Sequence, residues 1–252
     1  MNLFARLRPL GFIALLLMAW HIAVKFQRVQ LLPSPLAVAH AIAELAQRGL
    51  LLKYVIASLF RVTWGFLMAA VLAIPLGLLL GWYKRSQLAL NPLIEILRPI
   101  SPLAWIPIAI LWFGVGDGAA IFLIFLASFL PLVVTAMNAV GGIAGVHINA
   151  GRNFGLTPRQ LVSRVLYPAV APQLIIGLRI TLGIAWLVVV AAEMIAVNSG
   201  LGFLIVDARN AGNRYDLVVA GMVMIGIIGL TLDIGMRSLE KAKSLRWGYS
   251  ED

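Results

Sequence analysis

Few residues in this sequence could carry out covalent or metal chemistry, and they do not form a group. The 252 residues include no cysteine, which excludes disulfides, thiol catalysis and cysteine metal sites. His21, His40 and His147 are too scattered along the chain to suggest a metal site. Neither an H-E-x-x-H nor a G-x-S-x-G motif occurs. We therefore predict that the chain has no catalytic residue and no metal site.

Nucleotide binding by this chain is not expected either. The pairs Gly77/Gly81 and Gly151/Gly155 have the wrong spacing for a phosphate-binding loop, and no Lys-Ser or Lys-Thr follows them. Gly77 and Gly81 are instead typical of a small-xxx-small contact, through which two spans pack closely. We predict that the chain itself binds no cofactor.

The composition is that of a membrane protein. Hydrophobic residues make up 62% of the chain and charged residues 12%, with a mean hydropathy of +0.97. A soluble domain averages about half apolar and about a quarter charged residues. The formal charge of +10 does not indicate nucleic-acid binding, because Lys and Arg lie in small groups at the ends of apolar runs. The expected surroundings are therefore a lipid bilayer, with no nucleic acid as partner.

Apolar runs long enough to cross about 30 Å of hydrocarbon, or roughly 20 helical residues, occur along the whole chain. An even number of spans places both termini on one side, and the basic loops and tail indicate that this side is the cytoplasm. Arg61 is counted among the charges of the opposite side. We predict an all-α membrane protein of one domain, 1–252, with about six spans at 10–24, 58–83, 91–113, 118–140, 169–197 and 216–238.

The segment between the first two spans predicts an additional helix. Ser34 or Pro35 begins it, and Val38, Ile42 and Leu45 form one apolar face. A helix of this kind is expected to lie along the outer membrane interface.

Ionisable residues and helix breaks at membrane depth mark candidate sites within the spans. Glu193 lies in an apolar run with no basic residue one turn away, so it lines a path, lies near the outer boundary or bonds a neighbouring span. Arg179 extends its charge toward the membrane surface or faces another subunit. The proline-rich stretch 99–107 breaks regular helix, which is tolerated only beside protein or a water-filled cavity. Ser101, Trp105 and Glu193 are therefore our candidates for lining a path.

The segment 141–167 is too long for a simple turn. Its pattern predicts two short helices, the first ending near Gly155 and the second beginning at Thr157 as N-cap with Pro158 at its first position. On the residues alone, this basic loop is either a surface for a partner or an ordinary connection between spans.

Several motifs, in this loop and beyond it, resemble one family. Asn149-Ala150-Gly151, Gly155 and Leu166-Tyr167-Pro168 match the E-A-A, glycine and proline pattern of the permease subunits of ATP-binding cassette (ABC) importers, with Asn149 in place of Glu and Gly151 in place of Ala. The stretches 97–107, 111–116, 191–196 and 199–204 are similar to the nitrate/sulfonate/taurine permeases. The resemblance covers nearly the whole chain.

This resemblance implies the fold and partners of a type I ABC importer. The chain would be a permease in the bacterial inner membrane, working as a homodimer with two ABC subunits that use ATP and Mg²⁺, and with a periplasmic or lipoprotein solute-binding protein. It would carry a small anion such as a sulfonate or nitrate and would not itself be an enzyme. The loop 141–167 would be the coupling segment, with its contacts at Asn149, Ala150, Gly151, Arg152, Gly155, Leu156 and Pro168.

The alternative is an ion-coupled secondary transporter, which would also lack a nucleotide-binding loop. Inverted internal repeats and several paired carboxylates near the middle of the membrane would favour that class. The sequence contains neither feature, so the ABC permease is the preferred hypothesis.

Overall fold

The chain is all-helical wherever its structure is described. The computed structural model describes residues 3–26, 32–210 and 212–240. Short turns join the helices, and a 3₁₀ turn (Pro102–Trp105) and a π-helical segment (Val162–Leu166) lie between them. The helices are α1 (Leu3–Phe26), α2 (Pro35–Gln47), α3 (Leu50–Trp82), α4 (Lys84–Leu97), α5 (Ile106–Phe113), α6 (Asp117–Gly141), α7 (Gly145–Asn153), α8 (Pro158–Leu161), α9 (Tyr167–Ala196), α10 (Leu201–Asn210) and α11 (Tyr215–Glu240).

Four helical stretches in this part of the chain are long and apolar enough to cross a membrane. They are α3, α6, the continuous helix from Pro158 to Ala196, and α11, and they coincide with the second, fourth, fifth and sixth predicted spans. The first predicted span lies within α1, whose described apolar part, Ala14–Phe26, is shorter than a full span.

The third predicted span is broken into two helices, as its prolines indicated. Lys84–Leu97 and Pro102–Phe113 are bent by 81° relative to each other. Proline has no N–H to continue a helix, and its ring disfavours helical geometry in the preceding residue. Ser101 accepts a hydrogen bond from the N–H of Leu103, which starts the 3₁₀ turn after the break.

The central contact of the bundle is between α3 and α6. Small residues recur at every fourth position of α3, so this face lets the two backbones approach closely. A Cβ atom built on Gly77 would lie 2.5 Å from the carbonyl oxygen of Val133, and one built on Gly81 would lie 2.6 Å from the Cβ of Val140. The close packing predicted for Gly77 and Gly81 is confirmed, and the face consists of Gly65, Ala69, Ala73, Gly77 and Gly81.

Helix α9 packs on the other side of α6 and connects it to α11. The core between them contains fully buried Leu123, Ile124 and Val189. Trp186 on α9 donates a hydrogen bond from its Nε1 to the carbonyl oxygen of Ile225 on α11, at 3.1 Å. The second, fifth and sixth predicted spans therefore all pack around α6 or its neighbour α9.

The predicted helix between the first two spans is present as α2. Ser34 caps it by accepting the N–H of Ala37, and Val38 and Leu45 of its predicted apolar face are buried against α10 and α11. A side-chain bond of 2.8 Å joins Arg214 to Glu44, and this hydrogen bond holds the pKa of the Glu44 carboxyl below its ordinary value. The apolar face of α2 thus packs on the bundle itself.

Candidate functional site

The coupling segment predicted from the sequence folds as α7 followed by a sharp turn. The N–H of Gly155 donates to the carbonyl of Arg152 at 3.0 Å, and the N–H of Leu156 donates to the carbonyl of Gly151 at 3.1 Å. These two bonds form the Schellman motif that ends many helices. Gly155 lies in the left-handed region, with φ +73°, where glycine has no steric penalty. The chain therefore turns sharply at Gly155, where the sequence predicts the end of the first loop helix.

The second helix of the loop begins as the sequence predicts. Thr157 accepts the N–H of Gln160 at 3.4 Å, and the Gln160 side chain accepts the N–H of Thr157 at 2.9 Å. This reciprocal pair is a capping box, with Pro158 at the first helical position. Both helices of the loop are thus stabilised at their ends by local hydrogen bonds.

The second helix of the loop is the beginning of the fifth span. Pro158–Ala196 is one continuous helix of 39 residues, with the π-helical segment Val162–Leu166 inside it. The wider turn precedes Pro168, whose ring would otherwise crowd the carbonyl one turn earlier. No loop separates α8 from α9, so the predicted coupling segment is joined directly to a span.

Gly151 is buried where α7 packs against α8. A Cβ atom built there would lie 2.8 Å from Cδ1 of Leu161 and 3.3 Å from Cδ1 of Leu156. Alanine, which the sequence pattern of the resembled family has at this position, would require the Leu161 side chain to shift. Gly151 therefore allows α7 and α8 to approach each other closely.

The outer face of the coupling segment combines apolar and basic groups. Phe154 is 87% exposed and Val146 is 73% exposed, and both are large enough to enter a pocket on a partner. A groove of about 540 Å³ lies beside Phe154 and is lined in part by Arg164 and Pro168. No acidic residue occurs between Asp117 and Glu193, so the loop is basic throughout.

The predicted coupling residues divide according to exposure. The exposed residue Phe154 was not among those predicted. Its exposure depends on the orientation of α7, and no local sequence pattern predicts that orientation. Asn149, Ala150, Arg152 and Gly155 are exposed, Leu156 and Pro168 are half-buried, and Gly151 is buried.

The three predicted path residues do not form one site. Ser101 is exposed and Trp105 is half-buried, and both lie in the bend between α4 and α5. Glu193 is fully buried and lies close to the end of α9. In the described part of the chain, no hydrogen bond or ion pair links Glu193 to Ser101 or Trp105.

Glu193 instead belongs to a buried ionic cluster with Arg61. Nη1 of Arg61 donates to Oε1 of Glu193 at 2.6 Å, and Nε of Arg61 donates to Oδ1 of Asp117 at 2.7 Å. The hydroxyl of Ser58 donates to Oε2 of Glu193 at 2.9 Å. Nη1 of Arg61 also donates to the carbonyl of Ser199 at 2.7 Å. We call Ser58, Arg61, Asp117, Glu193 and Ser199 the Arg61 cluster.

Arg61 was counted in the sequence analysis only among the charges of the side opposite the cytoplasm, and no partner was predicted for it. Its side chain is only 2% exposed and lies inside α3. The spacing of Ser58 and Arg61 puts them on one face of a helix, and a buried Glu193 requires a partner. Together these two signals could have suggested the pairing.

Arg179 also has an acidic partner within the chain. Its Nε lies 2.6 Å from Oδ1 of Asp233 on α11, and Asp233 accepts a second bond from Arg237 at 2.9 Å. Arg179 therefore bonds a neighbouring helix, a contact that the sequence analysis did not predict.

A bundle of apolar helices long enough to cross a membrane, joined by a structured two-helix loop at one end, is typical of a membrane-spanning transport subunit. The chain belongs to the family described as binding-protein-dependent transport system inner membrane component, which matches residues 73–244. It is a permease of the ABC importers, of the nitrate/sulfonate/taurine family, as the sequence resemblance indicated. An ion-coupled secondary transporter is not favoured.

Individual relatives cover most of the chain. The taurine transport system permease protein TauC of Escherichia coli is 34% identical over 241 residues, which are 92% of this chain and 86% of that protein. The nitrate import permease protein NrtB of a Synechocystis strain is 36% identical over 244 residues, which are 93% and 88% of the two chains. The putative aliphatic sulfonates transport permease protein SsuC of Bacillus subtilis is 35% identical over 219 residues, 87% of this chain and 79% of that protein.

A solved structure has the same fold. The inward-facing MetNI methionine ABC transporter aligns with a TM-score of 0.68 and 22% identity, over 77% of this chain and 95% of that one.

Proposed function

We propose that two copies of this chain form the membrane channel of an importer for a small anion. ATP is hydrolysed with Mg²⁺ by two separate ABC subunits, and a periplasmic or lipoprotein solute-binding protein delivers the solute. The chain lies in the bacterial inner membrane with both termini in the cytoplasm. The observation that supports the proposal most is the coupling segment, a capped helix whose successor continues without a break into a span.

The proposed substrate class rests on the relatives. Their names specify taurine, aliphatic sulfonates and nitrate, which are small solutes with an oxyanion group. Transport requires weak contacts with the permease, because a tightly bound solute would not be released. An anionic substrate is therefore proposed for this chain, without a choice among the three.

The proposed docking mode is insertion of apolar side chains into a groove of the ABC subunit. The segment presents Phe154 and Val146 to solvent and has Asn149 where the family pattern has an acid. Docking therefore depends on shape and apolar contact, with buried Gly151 supporting the fold of the segment. The contacts to the ABC subunit would be made by Asn149, Ala150, Arg152, Phe154, Gly155, Leu156 and Pro168. A rigid helix transmits a displacement to the spans, whereas a flexible loop would absorb it.

The proposed path lies beside the bend between α4 and α5. Ser101 is exposed there, and Trp105 covers the neighbouring core. Backbone without regular helical bonds is tolerated at membrane depth only beside protein or water. Glu193 has hydrogen bonds to both carboxylate oxygens, so it would affect the path through the helices that it holds together.

The docking proposal is tested with the complete transporter. The chain is co-expressed with the ABC and solute-binding proteins encoded beside it, purified through a tag and reconstituted. We expect the ABC subunit to co-purify with the wild-type chain. Phe154→Asp should reduce the recovered ABC subunit at least about tenfold, the effect of a typical interface hot spot, while Phe154→Leu should retain most of it.

Two results would contradict this proposal. The first is a wild-type chain that transports solute without any co-purifying ATPase. The second is a Phe154→Asp chain that recovers as much ABC subunit as Phe154→Leu. Uptake of taurine, nitrate and a cationic amino acid in the same vesicles tests the substrate class, because preference for the cation would exclude an anion importer.

A further inference from the structure

The Arg61 cluster caps the beginning of α10. The N–H of Leu201 donates to the hydroxyl of Ser58 at 3.0 Å, and the N–H of Gly202 donates to Oε2 of Glu193 at 2.9 Å. The first N–H groups of a helix have no partner within that helix. Here the partners come from α3 and α9, and the carboxylate also interacts favourably with the positive end of the α10 dipole.

Arg61 connects this cap to two further elements. Its guanidinium bonds Glu193 on α9, Asp117 at the first position of α6, and the carbonyl of Ser199 in the turn before α10. The N–H of Gly116 donates to the carbonyl of Ala196 at 2.9 Å, which joins the same helix ends through the backbone. One side chain of α3 therefore contacts α6, α9 and the turn that leads into α10.

The turn before α10 packs closely against the end of α9. A Cβ atom on Gly200 would overlap the carboxylate of Glu193, and a Cβ atom on Gly202 would overlap the carbonyl oxygen of Val190. Gly200 also has φ +106°, a conformation that favours glycine. Movement of α10 relative to α9 would therefore break the bonds of the cluster.

The cluster and the coupling segment lie at opposite ends of the bundle. Helix α6 begins at Asp117 in the cluster and ends at Gly141 beside the coupling segment, and its 25 residues correspond to about 37 Å of helix. Glu193 is separated from the coupling segment by nearly the whole length of α9. The Arg61 cluster is thus remote from the proposed ATPase contact. One of its members, Glu193, nevertheless lies on the continuous helix that begins in the coupling segment.

We propose that Arg61 is a positioning residue for transport, which fixes α10 to the ends of α3, α6 and α9. This end of each subunit then moves as one body when the coupling segment is displaced, and α10 does not open as a separate gate. The inference rests on the proposed function, since it concerns how the ATP-driven movement reaches the far end of the membrane.

The first test joins α10 to α3 covalently. Tyr54 on α3 and Phe203 on α10 are in ring contact, with centroids 6.4 Å apart, and neither belongs to the cluster. The chain has no native cysteine, so Tyr54→Cys/Phe203→Cys can be joined by a short bifunctional thiol reagent in the reconstituted complex. We expect the joined complex to retain most of its uptake. Loss of uptake on joining, with both single-cysteine variants active after the same treatment, would overturn the inference.

The second test removes the guanidinium. In Arg61→Met we expect uptake to fall at least about fivefold, the lower end of coupling effects between sites, and ATP hydrolysis to lose its stimulation by the loaded solute-binding protein. Joining Tyr54→Cys and Phe203→Cys in the Arg61→Met background should restore that stimulation. A change confined to stability would lower the amount of complex without altering the ratio of uptake to hydrolysis.

The remaining outcomes are also decisive. Normal stimulation and uptake in Arg61→Met, or a defect that joining α10 to α3 does not repair, would contradict a positioning role. Should Arg61→Met fail to assemble, Arg61→Lys is used, because it keeps the positive charge but lacks the several N–H donors of the guanidinium. Its uptake and ATP hydrolysis are measured in the same way. The wild-type complex controls for the proposed function, because uptake and ATPase activity in that sample show that the importer works.

Discussion

Gly155 determines the geometry of the coupling segment through its backbone. Its positive φ of 73° lets the chain reverse after α7 and enter the capping box of Thr157 with only Leu156 between them. A β-branched side chain at such a position is strongly disfavoured, whereas asparagine is one of the few tolerated residues. The identity of this one residue therefore affects how α7 is presented to a partner.

Substitution of Gly155 should separate backbone conformation from side-chain chemistry. Gly155→Val should lose most uptake and most co-purifying ABC subunit, because left-handed geometry costs a residue with a Cβ about 1–2 kcal/mol and the turn would rearrange. Gly155→Asn should keep most of both. Uptake and subunit recovery are measured side by side, and equal activity of the two variants would show that the turn is not required.

The Arg61 cluster shows what a buried ion pair contributes in an apolar environment. A buried ion pair contributes little net stability compared with apolar residues of similar size, but removal of one partner is strongly destabilising. Arg61 bonds two carboxylates, of which Glu193 is fully buried and Asp117 is 57% exposed. The cluster is therefore better explained by the positions that it enforces than by the stability that it contributes.

At the scale of elements, α3 and α6 pack through backbone rather than through large side chains. Gly77 lies against the carbonyl of Val133, so the interface has no room for another methyl group. Gly226 in α11, by contrast, has no atom within 4 Å of the position of a Cβ. The two glycines share a helical conformation and differ in their neighbours.

This difference predicts opposite effects of one substitution. Gly77→Ala should lower the thermal stability of the detergent-solubilised chain, since overpacking a tight contact costs about 1–3 kcal/mol. Gly226→Ala should leave stability unchanged or raise it, because alanine favours the helix more than glycine does. The fraction that remains monodisperse after heating measures both. An equal loss in the two variants would contradict the packing argument.

The second feature at the scale of elements is that α8 and α9 form one helix. Because Pro158–Ala196 is one helix, the coupling segment, the fifth span and Glu193 lie on a single element. Its π-helical segment, Val162–Leu166, is the point at which that element departs from regular α-helix. Such segments occur frequently at functional sites.

At the scale of the whole molecule, the spans differ in how far the chain itself covers them. Half of the most apolar window of α6 is buried, but only 11% of the corresponding window of α11 is. Helix α6 is thus the centre of the subunit, and α11 lies at its periphery. In the proposed assembly, the peripheral surfaces face lipid or the second copy.

The proposed orientation can be measured because the chain has no native cysteine. Asn210→Cys at the end of α10 should react with an impermeant thiol reagent in intact cells. Phe154→Cys should react only after the inner membrane is permeabilised, since α7 lies at the opposite end of the bundle. Both side chains are exposed, so accessibility within the protein does not confound the comparison. The reverse pattern would mean that the termini are extracytoplasmic.

The sequence was sufficient for every feature that depends on neighbouring residues. Hydropathy predicted the membrane class and the four long apolar helices, because the bilayer accepts a helix whose backbone groups bond within it. The end of α7 at Gly155 and the cap at Thr157 follow from hydrogen bonds within a few residues, and these are present. The prolines after residue 98 indicated a broken third span, although not a bend of 81°.

The tertiary structure alone decided the features that join distant elements. Arg61 and Glu193 are 132 residues apart in the chain, and no local pattern relates them. Exposure of Phe154 depends on the direction in which α7 leaves α6, and the cap on α10 depends on the packing of α3 against α9. The chain by itself determined that it is an all-helical membrane protein that resembles the ABC importer permeases. Only folding determined that Glu193 is bound by a buried arginine, because a charge at that depth requires a partner that packing must supply.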